Sequence, residues 1–205
     1  MKATTDIDPQ LVKQLREKTN AGMMDCKRAL AEAGGDLAKA ETVLRTKGIA
    51  SASKKASRVT KEGIVASYIH LQGKVGVLVE VDCETDFVAK NEIFRGFVKD
   101  ITLHIAAAHP LYVSRDDVPA KVVEAERAIY EAQVKDKPAT VSSKIIDGKL
   151  DKFYSTVCLI EQGFIKNPDQ TIKDLLSTKI AELGENIVIR RFTRYLVGEP
   201  LPTQE

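Results

Sequence analysis

The chain has 205 residues, enough for one large or two small domains with a sizeable core. Hydrophobic residues at 43% and charged residues at 29% fit an ordinary globular chain, and a net charge of +2 is too near zero to argue by itself for a nucleic-acid partner. Aromatic residues are only 5% and tryptophan is absent, which weakens any base-stacking surface; Cys26, Cys83 and Cys158 are odd in number and far apart, which argues for reduced thiols rather than a disulfide framework.

The first nine residues, Met1 to Pro9, hold no apolar segment, so no signal peptide is expected. No apolar run approaches the length of a membrane span. Asp8-Pro9 offers an N-cap and a proline for the first helical turn. Leu11, Val12 and Leu15 then mark one apolar face, and Asn20-Ala21-Gly22 ends that helix. A second helix is predicted from Met24 to Ala33, with Cys26, Ala29, Leu30 and Ala33 at helical spacing before Gly34-Gly35. Asp36 caps a third, with Leu37, Ala40, Val43 and Leu44 inward and Gly48 as its end. Residues 1–50 thus read as a small three-helix bundle. The stretch 49–61, whose segment 51–61 separates the bundle from the rest, is small, polar and basic. It reads as a linker or a helical extension, with Lys54, Lys55, Arg58 and Lys61 either solvated or facing phosphates.

Residues 62–205 form the second domain. Val65, Ser67, Ile69 and Leu71 describe one strand, Gln72-Gly73 a hairpin turn, and Val75, Val77, Val79, Val81 and Cys83 a second strand with one buried face. That alternation stops at Glu84-Thr85. From Phe94 the apolar positions Phe97, Val98, Ile101, Ile105 and Ala108 follow a helical period. Between strand and helix lie Thr85, Asp86, Phe87 and Val88, with Asp86 placed to accept helix-start N–H groups. Phe87 on this corner is either a staple for the core or an exposed wedge. Further helices are predicted after Asp116-Asp117-Val118-Pro119, with Val122, Val123, Ala128 and Ile129 inward, over 140–160 with an interruption at Asp147-Gly148, and after Thr171. Gly163 to Pro168 reads as a loop, and 185–198 as a closing strand able to pair with the hairpin. The expected class is α+β, a small antiparallel sheet with helices packed on one side.

Catalytic motifs are missing. No phosphate-cradling glycine loop and no Cys-x-x-Cys occurs, and His104 and His109 lack an acidic partner at metal-site spacing. Cys83 sits beside Glu84, which raises a thiol pKa. Asp82, Glu84 and Asp86 could serve as acid/base groups or cation ligands, but a strand edge facing water accounts for them equally well. Enzyme is the weaker class, and no cofactor is called for.

Three longer stretches carry a resemblance. Leu11-Val-Lys-Gln-Leu-Arg-Glu-Lys-Thr-Asn-Ala-Gly-Met-Met-Asp-Cys-Lys-Arg-Ala-Leu30 with Gly35-Asp36, then Val79-Glu-Val-Asp-Cys-Glu-Thr-Asp-Phe-Val-Ala-Lys-Asn91, then Gly184-Glu-Asn-Ile-Val-Ile-Arg-Arg-Phe192 resemble, in the same order, the elongation factor Ts family. The resemblance implies a guanine nucleotide exchange factor for the GTPase elongation factor Tu, acting in the cytoplasm of a bacterial type of cell. It implies a ubiquitin-associated-like bundle that docks on the GTPase domain, with Arg16, Met23, Met24, Cys26 and Lys27 as docking candidates. It implies that Thr85, Asp86, Phe87 and Val88 dislodge the partner's Mg²⁺. Met23-Met24 is, on its residues alone, as readily bundle core as a soft binding patch. The single closing strand, without a duplicated core, resembles the short family members and implies a homodimer. No direct nucleotide, nucleic-acid or membrane binding is expected.

Overall fold

The computed structural model describes residues 7–19, 21–135 and 138–200. The expectations placed on residues 1–6, on Asn20, on Asp136 and Lys137, and on residues 201–205 lie outside the described residues. The chain packs as two compact units. One comprises Met1–Ile64, Asp82–Phe97 and Asp174–Val188, and the other Val65–Val81, Val98–Lys173 and Ile189–Glu205.

The first unit opens with α1 (Pro9–Thr19), α2 (Met23–Glu32) and α3 (Leu37–Lys55). Asp8 caps α1 by accepting the Gln10 N–H at 2.8 Å, and Asp36 caps α3 by accepting the Lys39 N–H at 3.0 Å. Leu15, Cys26, Ala29, Leu30 and Ala40 are fully buried and form one cluster with Ile7 and Val12. The three-helix reading therefore holds, with one difference. Gly48 does not end α3, which runs on through the basic stretch to Lys55 before a turn. Gly48 is buried, and a Cβ built there would meet Ser177 O at 3.8 Å and Ala181 Cβ at 3.9 Å. Its glycine serves close helix contact with α8 (Ile172–Leu183), not termination. Lys55 fastens the extension by donating to Ser51 Oγ at 3.0 Å and to Ile180 O at 3.4 Å.

Three strands form one sheet in the order β1 (Glu62–His70), β2 (Val75–Cys83), β5 (Ile187–Leu196). Val75, Val77, Val79, Val81 and Cys83 are all buried, as the alternation requires. β1 forms as the pattern predicts, except that Leu71 falls in the turn beyond it; Val65 is 68% and Ile69 65% exposed, because the apolar odd positions look away from the helix-covered side. Between β1 and β2 the chain turns through Leu71 and Gln72, both left-handed with φ of 50° and 55°, and Gly73 at φ 92°. Such a run explains the glycine but not the leucine, which is strained there.

After a one-turn helix α4 (Asp86–Lys90), α5 (Glu92–Ala108) buries Phe94, Phe97, Val98, Ile101 and Ile105. In the second unit a turn with a Ser114–Asp117 capping box precedes α6 (Ala120–Ala132), and α7 (Ala139–Val157) runs unbroken through Gly148. Val122 and Val123 do turn inward, but Ala128 and Ile129 are exposed. The predicted loop at 163–168 is a small hairpin, β3 (Gly163–Phe164) with β4 (Asn167–Thr171). His104 on α5 is fully buried: its Nε2 lies 2.9 Å from Gln162 Oε1, and Nδ1 accepts the Ile165 N–H at 3.3 Å. Burial holds its pKa below the ordinary histidine value.

Candidate functional site

The corner between β2 and α5 is built from short-range capping and one long-range clamp. Thr85, not Asp86, is the N-cap of α4, its Oγ1 accepting the Val88 N–H at 3.4 Å. Asp86 occupies the first helical position and accepts from Lys90 Nζ at 2.6 Å, an i,i+4 pair that holds its carboxyl below the usual carboxylate range. Asn91 ends the turn and starts the next helix, its Oδ1 accepting the Ile93 N–H at 2.8 Å. Ala89 is buried and Val88 half-buried beneath the turn. Phe87 is 82% exposed. It is not a core staple, since α4 turns it outward.

The clamp comes from Glu185, at the start of the Gly-Glu-Asn-Ile motif. Its Oε2 accepts the N–H groups of Glu84 and Thr85, each at 3.0 Å, and its Oε1 accepts the Thr85 hydroxyl at 2.6 Å. Glu84 answers by accepting the Asn186 N–H at 2.6 Å and by pairing with Arg58 at 3.4 Å. Buried Asn186 donates through Nδ2 to Arg58 O at 2.9 Å and Ala56 O at 3.4 Å, which ties down the end of α3. Sequence reasoning did not assign Glu185, Asn186 or Arg58 to this corner. They stand far from Thr85 in the chain, and the only signal was the unexplained polar Gly-Glu-Asn before an apolar strand.

Cys83 lies under the corner, fully buried, with Sγ donating to Thr85 O at 3.2 Å. Burial, and then the nearby Glu185 charge, push its thiol up to about 11, the opposite of an activated nucleophile. Among the described residues no three His, Cys, Asp or Glu side chains converge as metal ligands. Among the described residues no helix is long and apolar enough to cross a membrane.

On the bundle, Met23 is 59% and Met24 63% exposed at the start of α2, and Arg16 and Lys27 are exposed as well. The methionines are therefore not core. Cys26 is: it is fully buried, its Sγ lies 3.6 Å from Ala21 O as donor, and burial raises its pKa. It lies beneath the α2 surface rather than on it. The bundle patch and the Thr85–Val88 corner lie on separate elements of the same compact unit.

A protruding aromatic on a clamped corner and an exposed methionine pair leave two apolar points of this unit facing outward. A family model described as elongation factor TS matches residues 49–199. The chain is 58% identical to elongation factor Ts of Carboxydothermus hydrogenoformans, over 97% of this chain and 93% of that one. It is 58% identical to that of Citrifermentans bemidjiense, over 95% and 91%, and 55% identical to that of Thermodesulfovibrio yellowstonii, over 94% and 97%. The chain belongs to the elongation factor Ts family. Membership implies a nucleotide exchange role toward elongation factor Tu in translation elongation.

Proposed function

We propose that this chain promotes GDP release from elongation factor Tu by pressing the Thr85–Val88 corner against the partner's Mg²⁺ and phosphate site. The observation that carries the reading is Phe87, 82% exposed although flanked by a fully buried strand end and a fully buried helix face. Mg²⁺ demands near-octahedral geometry, so small displacements of its ligands weaken it. Exchange of this kind needs no bond-making, only negative coupling between nucleotide and factor, and the coupling is reciprocal. One phenylalanine buried in a partner is worth about 1.5–3 kcal/mol, or roughly one to two decades of affinity.

The bundle of residues 1–50 docks on the GTPase domain through Met23, Met24, Arg16 and Lys27, with Cys26 beneath, and residues 62–205 carry the wedge. Elongation takes place in the cytoplasm, and that is where the chain acts. It binds GDP, nucleic acid and membrane through no site of its own.

A homodimer is supported by the uncovered side of the sheet. Val65 and Ile69 on β1, Leu78 on β2, Tyr195 on β5 and Val197 just beyond it are each exposed by 48% or more. Ile69 lies against Gly76, and Arg191 pairs with Glu80 on the neighbouring strand, so these positions share one face. A sheet face carrying several exposed apolar side chains is the kind of surface a second copy covers.

Release of a fluorescent GDP analogue from elongation factor Tu tests the function. Acceleration by catalytic amounts of the chain is expected. A release rate unchanged by any amount of chain would overturn the reading.

A further inference from the structure

We propose that Glu185 is a positioning residue for exchange, a carboxylate that fixes the direction in which Phe87 projects. The inference rests on the exchange reading above and adds to it the group that makes the wedge rigid.

Phe87 touches little of its own fold, so its aim is set by the backbone of Thr85 to Val88. A one-turn helix cannot supply that rigidity, since isolated turns are unstable in water. Three bonds to a single carboxylate can. Glu185 receives two successive N–H groups and the hydroxyl of the N-cap residue, which fixes the peptide planes on both sides of Glu84 and the side chain of Thr85, where the turn begins. Charge-assisted bonds of this kind are shorter and stronger than neutral ones, and the hydroxyl bond at 2.6 Å shows that shortening. The clamp is itself anchored. The peptide after Glu185 is bound by Glu84, and the next side chain, Asn186, is bonded to the end of α3. An exposed wedge works only if it does not yield when pressed, because interactions must be made without first ordering the wedge.

The chain has no tryptophan, so Phe87→Trp places a single reporter on the corner. In that background Glu185→Gln should at least double the amplitude of the fast, nanosecond component of the indole anisotropy decay. In stopped-flow release of a fluorescent GDP analogue from elongation factor Tu, Glu185→Gln should lower the maximal rate about tenfold. The half-saturating concentration of the chain should move by less than about threefold, because docking by the bundle is untouched. Combined with Phe87→Ala, Glu185→Gln should add almost nothing, as expected of two residues that act as one unit. Thr85→Val is the second variant: it removes the shortest of the three bonds and leaves the charge in place, and it should show the same non-additivity. An unchanged anisotropy decay, or rate losses in the double variant that multiply, would overturn the proposal. If wild type itself fails to accelerate release, the exchange reading falls, and the anisotropy measurement still decides whether Glu185 holds the corner.

Discussion

Glu84 and Glu185, 101 residues apart in sequence, exchange carboxylate-to-backbone bonds: Glu185 accepts the Glu84 N–H at 3.0 Å, and Glu84 accepts the Asn186 N–H at 2.6 Å. Each carboxylate thereby satisfies backbone donors that a strand end and a helix start would otherwise leave open. Asn186 completes the arrangement by donating to Arg58 O and Ala56 O. Asn186→Ala removes the side-chain donor to both carbonyls and should cost about 0.5–1.5 kcal/mol of unfolding free energy. Urea titration followed by circular dichroism measures it. A loss below about 0.5 kcal/mol, the size of an ordinary surface substitution, would contradict the role given to Asn186.

His104 should make stability depend on pH. Both ring nitrogens are bonded in the neutral form, Nδ1 as acceptor of the Ile165 N–H, and burial lowers the folded pKa. The unfolded chain takes up this proton near pH 6.5, the ordinary histidine value, before the folded chain does. The stabilisation is therefore fully present above about pH 6.5 and is lost as pH falls through the lowered folded value. Melting temperatures between about pH 7.5 and pH 5 should fall more steeply for wild type than for His104→Gln. Parallel curves would contradict this account.

Met23 and Met24 are exposed and make no part of the bundle core, so replacing both with aspartate should leave the melting temperature within a few degrees. Affinity for elongation factor Tu, read by titration calorimetry, should fall about tenfold or more, since a buried methionine is worth roughly 1.5–3 kcal/mol. Unchanged affinity would move docking elsewhere on the bundle.

Leu78 lies on the uncovered side of β2 between buried Val77 and Val79. If that face is the dimer interface, light scattering should give a dimer mass for wild type and a monomer mass for Leu78→Asp, with the circular dichroism spectrum unchanged. A monomeric wild type would contradict the dimer and leave exchange untouched.

The sequence made the periodic parts of this fold readable. The valine alternation from Val75 to Cys83 and the helical spacing from Phe94 to Ile105 each reflect a single buried face, which one-dimensional pattern reports well. Gly48 misled because a glycine that permits close helix contact looks the same in sequence as one that ends a helix. At the site, Thr85 to Val88 stood out as the break between two periodicities. Glu185 and Asn186 did not, because bonds between residues about a hundred positions apart leave no local trace.

The most direct test of the account is stopped-flow release of a fluorescent GDP analogue from elongation factor Tu with wild type and Phe87→Ala at equal, saturating concentrations. The account predicts strong acceleration by wild type and a loss of about tenfold or more in the variant, since Phe87 is worth one to two decades if it is buried in the partner. Acceleration by Phe87→Ala equal to that of wild type would contradict the wedge.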